Sequence, residues 1–379
     1  MKLIHLSDLH LGKRLREYSL MEDQKYILER ILGIIDDEQP DGVIIAGDVY
    51  DKSSPAAEAV ALFDSFLSRL VSRNVPVFVI SGNHDSAERI AYGRTIMNRS
   101  GVYLSSVFDG VVEPVTLEDV FGPVNVYLLP FIRPAAVRAV WPEEDISSYT
   151  EAVNSAIAHM DIDESRRNVL VTHQFVTGAE RSESETVSVG GTDNVDVSVF
   201  DSFDYVALGH IHKPQNCSSI RVRYCGTPLK YSFSEAKDEK SVTVAELGPK
   251  GQLDVRTVPL IPLHDMVDIR GTYDEITLRS FYEGTSWQTD YVRITLTDEE
   301  EVPGVGDKLR AIYRNWMQIQ YDNRRTRSDR SIDASEGGSE RSPLQLFSDL
   351  YELQNNAPMT GEQAAFMTGL IETFWEEDL

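Results

Sequence analysis

Five short polar clusters, each placed directly after an apolar run, constrain this chain more than any other feature. They are Asp8-Leu9-His10, Gly47-Asp48, Gly82-Asn83-His84-Asp85, His173, and Gly209-His210-Ile211-His212. The apolar runs before them are Leu3–Leu6, Val43–Ala46, Val75–Ile80, Val169–Val171 and Tyr205–Leu208. Runs of this kind suit strands buried on both faces of a sheet. Loops beyond the carboxyl ends of such strands are where ligands gather. A fold that uses all five must bring sequence-distant loops into one cavity. Five of the chain's eight histidines lie in these clusters.

The residue types point to metal-assisted phosphoester chemistry. Water is a poor nucleophile, and charge builds on the phosphoryl oxygens as it attacks. Two cations roughly 3.5–4 Å apart address both problems, by lowering the pKa of water and by clamping the charge. Ions held so closely need a shared carboxylate, and Asp48, in Gly-Asp-Val-Tyr-Asp, is the natural bridge. Asp8 and His10 lie two apart, so an extended loop can face both the same way. His210 and His212 repeat that spacing. Asn83 offers a carbonyl oxygen, and imidazole with carboxylate suits manganese, iron or zinc. The glycines at 12, 47, 82 and 209 suggest tight backbone paths. Asp51 and Asp85 either orient the ligands or cap the helices that follow. A lone Asp-x-His, or a lone histidine after a strand, is usually structural; it is the joint occurrence that carries the reading. His5, His159 and His264 lack this company and read as structural or surface residues.

Composition sets limits. The chain has 379 residues and a formal net charge of -25. That charge opposes attraction of nucleic acid to the surface as a whole, although bound cations invert the sign locally. Lys13, Arg14 and Arg16 form either a local basic patch or a solvated loop. Two cysteines, Cys217 and Cys225, argue for a reducing cytoplasm rather than a disulfide framework. No run reaches the roughly 18 apolar residues that span a bilayer, and the amino terminus enters a motif without a signal-peptide pattern. No Gly-x-x-x-x-Gly-Lys-Ser/Thr occurs, so any ATP dependence must come from another chain.

Alternating strand and helix patterns over residues 1–260 predict an α/β sandwich. Helices are expected over 23–36, with Ile27, Leu28, Ile31, Leu32 and Ile35 on one face, and over 56–71. Beyond Pro259 the pattern changes to a small α+β domain, 261–322. It has strands at 266–269 and 291–296 and a helix at 308–317. Residues 323–342, rich in charge and poor in apolar side chains, read as a flexible linker. Residues 343–379 read as a helix pair, the second opened by Thr360 and Gln363 as a capping box. Its apolar face, with Met367, Leu370 and Ile371, suits a partner, or else packs onto its own chain.

In this order the motifs resemble the calcineurin-like metallophosphoesterase superfamily. The likeness is closer still to its bacterial DNA-repair nuclease subunits, through Ser7–Gly12, Gly191-Thr192, Phe203–Gln215 and Gly226–Glu235. The resemblance implies a four-layer α/β/β/α core with a small α+β cap that binds DNA. It implies two Mn2+ ions, with Mg2+ or another divalent metal as substitutes. One is held by Asp8, His10, Asp48 and His212, the other by Asp48, Asn83, His173 and His210. His84 would act on the scissile phosphate or the leaving oxygen rather than bind metal. The resemblance further implies a homodimer through helices near 56–71 and 86–98, and capture of an ABC-type ATPase by 343–379. Archaeal and eukaryotic relatives often carry histidine where this chain has Asp51, so their detailed exonuclease mechanism does not transfer.

The expectation is therefore a manganese-dependent nuclease acting on DNA ends and hairpins, with no membrane association. Two other readings stand beside it: a phosphatase or phosphodiesterase of small substrates, and a DNA-end scaffold with a purely structural site.

Overall fold

Apolar residues that alternate between two faces build the main body. The computed structural model describes residues 1–185, 193–323, 344–345, 347–348, 350–351 and 358–374. They form two compact units, the first made of the described residues up to 231 together with 238–263. This unit contains two six-stranded sheets. One has the order Leu253–Pro259, Ser241–Leu247, Lys2–Leu6, Gly42–Ala46, Val77–Ile80, Val102–Leu104, with the last four strands parallel. The other has the order Gln215–Cys217, Ser219–Tyr224, Tyr205–Gly209, Arg167–His173, Gly122–Leu128, Val115–Asp119, with the four central strands parallel.

The two sheets pack face to face. Leu3, Ile44, Ala46, Phe78 and Ile80 of the first meet Val124, Val126, Val169, Val171 and Ala207 of the second in one buried cluster. Alternate residues of the second sheet, among them Tyr127, Leu170, Val206 and Leu208, turn the other way. They pack against helices Pro134–Val140 and Tyr149–Ala158 through Val137, Ala152 and Val153. On the first sheet's outer side lie helices Met21–Glu38 and Ala57–Val71, which bury the stripes Ile27–Leu28–Ile31–Leu32–Ile35 and Phe63–Phe66–Leu67–Leu70. The layering is the expected α/β/β/α. His173 and Gly209 stand opposite each other in register at the carboxyl ends of their strands.

The second unit takes in Ser232–Lys237 and the described residues from His264 onward. It is built on a parallel three-stranded sheet of Met266–Gly271, Tyr291–Leu296 and Asn315–Tyr321. Here the expected helix over 308–317 is corrected. The helix is Val305–Arg310, and Asn315–Tyr321 is a strand. Pairing with Tyr291–Leu296 packs Trp316 and Ile319, partly buried, against the core cluster of this unit, an advantage no local periodicity reports.

The expected helix near 86–98 is also broken, into Ala87–Ile90, Arg94–Met97 and a turn at Asn98–Ser100. Gly93, at φ 73°, interrupts it with a left-handed backbone. Asn323 is buried and donates to the Asp298 carbonyl at 3.1 Å, so the second unit's ordered chain extends past the start expected for the linker. Residues 324–342 of that linker lie outside the described residues. So do several of the expected first C-terminal helix, although 344–345, 347–348 and 350–351 are helical. The second helix is Gly361–Phe374, and its capping box forms as expected. Thr360 N–H donates to Gln363 Oε1 at 2.9 Å, and Gln363 N–H to Thr360 Oγ1 at 3.3 Å.

Candidate metal centre

The five polar loops converge because the carboxyl ends of the two sheets meet. The loop after Lys2–Leu6 is laced to the loop after Gly42–Ala46. Asp8 N–H donates to the Gly47 carbonyl at 3.0 Å, and His10 N–H to the Asp48 carbonyl at 3.0 Å. The second sheet closes on them: His210 N–H reaches both Asp8 carboxylate oxygens at 3.1 Å. Glycine is required at the closest approaches. A Cβ on Gly82 would overlap the Asp48 side chain, and one on Gly209 would overlap the Ala46 carbonyl. Strain collects here as well. Asp8 (φ 51°), His10 (43°), Asp48 (47°) and His210 (101°) are four of the eight non-glycine residues with positive φ among the described residues. Such outliers persist where the surroundings over-determine them, often at functional sites.

All seven expected ligand residues come together. On one side, Asp8, His10 and His212 offer ligand atoms within 4.8 Å of one another. His10 Nε2 faces His212 Nε2 at 3.2 Å. Two ring nitrogens this close can share only one proton, whereas a divalent cation satisfies both lone pairs. On the other side, Asn83 Oδ1 lies 3.0 Å from His173 Nε2 and 3.0 Å from His210 Nδ1. Asp48 Oδ2 stands between the two groups, 3.6 Å from His10 Nε2 and 3.4 Å from His173 Nε2. Asp8, His10, Asp48, His173, His210 and His212 are all buried.

The electrostatics of the centre suit a bound cation. Burial holds His10 and His210 well below the ordinary imidazole range. His173 is the exception. Burial opposes its charge, but the carboxylates of Asp48 and Asp8 prevail and raise it to about 9. Asp48 is correspondingly held low: burial works against its charge, and His173 and His84 outweigh that. Burial raises Asp8. A proton on His173 thus offsets carboxylate charge that a cation would neutralise, and the donor set fits divalent metal. The His173 tautomer suits this as well, since Nδ1 lies 2.8 Å from the Ala46 carbonyl and Nε2 is left facing the site.

His84 sits differently. Its side chain is 19% exposed, and its Nε2 lies 4.0 Å from Asp48 Oδ2. Its Nδ1 is 3.2 Å from the Asp51 carbonyl, and its N–H donates to Asp48 Oδ1 at 2.9 Å. Asp85 is an orienting residue rather than a helix cap. It accepts from Gly82, Val49 and Tyr50 N–H at 2.9–3.0 Å and so ties two of the loops together. Burial, then the Asp48 charge, raises it to about 6. The three remaining histidines lie elsewhere: His5 in the core, His159 stacked on Trp141, and His264 beside Tyr291.

Sequence reasoning did not reach several residues that brace this centre. Ser184 Oγ lies 2.6 Å from His212 Nδ1, and His212 N–H donates to Glu185 Oε1 at 2.7 Å. Lys240, buried, donates to the His212 carbonyl at 2.9 Å. Gln24 Nε2 donates to the His10 carbonyl at 2.7 Å, and the Tyr231 hydroxyl to the Leu9 carbonyl at 2.5 Å. The one available signal was Gln24, a polar residue on an otherwise apolar helix face.

Comparison with known proteins identifies the family of this chain. The family described as calcineurin-like phosphoesterase matches residues 1–214, and that described as type 5 capsule protein repressor C-terminal domain matches 262–355. The chain is 34% identical over 323 residues to SbcD of the SbcCD nuclease from Staphylococcus epidermidis, covering 84% of this chain and 85% of that one. It is equally similar, at 34% over 323 residues, to the same-named protein of Staphylococcus saprophyticus, covering 84% of each. Among solved structures, a dimetal phosphatase from Danio rerio aligns with TM-score 0.45 and 12% identity, over 69% of this chain and 96% of that one.

Proposed function

The chain belongs to the calcineurin-like phosphoesterase family and, within it, to the SbcD nucleases; on that basis we propose a two-metal DNA nuclease subunit. One observation carries the two-metal reading. Asp48 Oδ2 lies between an Asp8–His10–His212 group and an Asn83–His173–His210 group, as a bridging carboxylate must. In this reading Asp8, His10, Asp48 and His212 hold one ion, and Asp48, Asn83, His173 and His210 the other. Manganese is the proposed metal, with magnesium or another divalent ion as a substitute.

Bound ions would supply a lowered water pKa and a counter-charge for the phosphoryl oxygens. The protein's own part is positional. The buried ligands form a low-dielectric floor in which charge interactions are strong. His84 takes no ion in this reading. Its Nδ1–H donates to the Asp51 carbonyl, which leaves Nε2 on the Asp48 side of the centre, where it would stabilise or protonate the leaving oxygen.

We propose an SbcC-type ABC ATPase as the partner of 343–379, where Phe366 is 68% exposed on the Gly361–Phe374 helix. For a homodimer through the segments near 56–71 and 86–98, support comes from Val60, Tyr92 and Ile96, exposed at 43%, 84% and 75%. The substrates are DNA ends and hairpins, and 261–322 is proposed as the DNA-binding cap. Among the described residues no helix is long and apolar enough to cross a membrane; cytoplasmic location is part of the proposal.

The deciding experiment offers the chain and its ATPase partner a DNA hairpin and bis-p-nitrophenyl phosphate, with and without Mn2+. Manganese-dependent cleavage of the hairpin supports the proposal. Activity on the small ester alone would make the chain a small-substrate phosphodiesterase.

A further inference from the structure

Asp51 touches three functional groups at once. Its carbonyl lies 3.2 Å from His84 Nδ1, and its Oδ1 accepts from Lys13 Nζ at 2.7 Å. The same Oδ1 is 3.8 Å from His10 Nδ1. That His10 nitrogen is fully buried and has no hydrogen-bond partner. The opposite nitrogen, Nε2, faces Asp48 and His212, so in the ligand tautomer the hydrogen sits on Nδ1. A buried N–H without an acceptor is costly, and hydrogen-bond distance is about 2.9 Å. Asp51 Oδ1 is therefore less than about 1 Å too far away, and the group drawing it aside is Lys13. The two side chains are only 15% and 16% exposed, and Lys13 also lies over the Tyr231 ring at 5.5 Å.

We propose that Asp51 is the positioning residue for His10 and that Lys13 withholds it until a phosphodiester arrives. A phosphate oxygen entering beside His84 draws the Lys13 ammonium away. The Asp51 carboxylate then accepts the Nδ1–H of His10, which fixes the ring and makes Nε2 a stronger donor to metal. Occupancy by DNA is in this way coupled to tightening of the metal-binding side. The inference rests on the reading of this centre as a cation site.

The test is a Mn2+ titration of the metal-free full chain, with and without a nuclease-resistant phosphorothioate DNA hairpin, read by the electron paramagnetic resonance of free Mn2+. With the hairpin bound, Asp51→Ala should weaken one of two Mn2+ ions by roughly ten- to a hundredfold, the usual effect of removing such a partner, and without it the loss should be much smaller. Asp51→Asn, which keeps an acceptor oxygen, should weaken it less, and it carries the test should the alanine variant unfold. Lys13→Met should leave Mn2+ binding as tight as in the wild type or tighter, while raising KM for a DNA hairpin. If Lys13→Met weakens Mn2+ in step with Asp51→Ala, the two form a plain structural ion pair and the inference is overturned. Two equally tight ions in the hairpin-bound wild type and both hairpin-bound Asp51 variants overturn it alone. A wild-type chain that takes up no Mn2+ removes the metal reading, and this inference with it.

Discussion

His5 Nδ1 lies 2.9 Å from the Tyr205 hydroxyl, a polar tie through the apolar layer between the two sheets. His5 Nε2 also lies 3.2 Å from the Leu208 carbonyl. Burial, then the nearby Arg223 charge, lowers the imidazole from 6.5 to about 3. Unfolded chains bind this proton near pH 6.5, and the folded chain only near pH 3. This group therefore costs nothing above pH 6.5 and destabilises progressively as pH falls from 6.5 toward 3. The slope is about 1.4 kcal/mol per pH unit from this group alone. Urea unfolding at pH 7, 6, 5 and 4 should show a shallower acid loss for His5→Gln than for the wild type. Equal slopes would remove His5 from the account of acid sensitivity.

Replacing His84 should separate chemistry from binding. His84→Gln is expected to lower the DNA cleavage rate by about 10²–10⁴-fold, the usual range for a lost proton-transfer group. Mn2+ stoichiometry and DNA affinity should stay at wild-type values. Undiminished cleavage would leave His84 without a catalytic role.

The close approach at Gly82 gives a steric prediction. Gly82→Ala forces a methyl group into the Asp48 carboxylate, which also accepts from His84 N–H. Overpacking of this kind typically costs about 1–3 kcal/mol. Thermal unfolding should show that loss, and Mn2+ titration should show weakened binding. A variant with wild-type metal affinity would mean that Asp48 can retreat without consequence.

Removal of residues 343–379 should leave Mn2+ binding by the first unit intact, because every proposed ligand lies before residue 213. It should abolish association with the ATPase. Co-elution of the truncated chain with that ATPase on size exclusion would place the docking surface elsewhere.

The site was legible in the sequence because its requirements are chemical and local: a few ligand types, each at the end of an apolar run. All seven ligand candidates meet in the structure, and the strands that carry them lie close to where the apolar runs put them. The edge strands Val115–Asp119 and Leu253–Pro259 were not legible, since a half-exposed edge leaves little apolar signal, and Val102–Leu104 is only three residues long. Asn315–Tyr321 misled for a different reason: its strand state is decided by pairing with Tyr291–Leu296 rather than by its own pattern. Ser184 and Glu185 were hidden in a polar stretch that reads as loop, and only the fold brings them against His212.

The left-handed backbone at Asp8, His10, Asp48 and His210 bears on how this protein can be engineered. Glycine at any of the four would relax a conformation that strains ordinary residues by about 1–2 kcal/mol. Each such change would also delete a donor from the centre. A selection for heat resistance alone would therefore drift toward a sturdier, inert chain at these positions, a local conflict between durability and activity. Thermostable variants should instead be sought at other left-handed positions such as Gln39 and Asn74, where the same relaxation removes no proposed metal ligand.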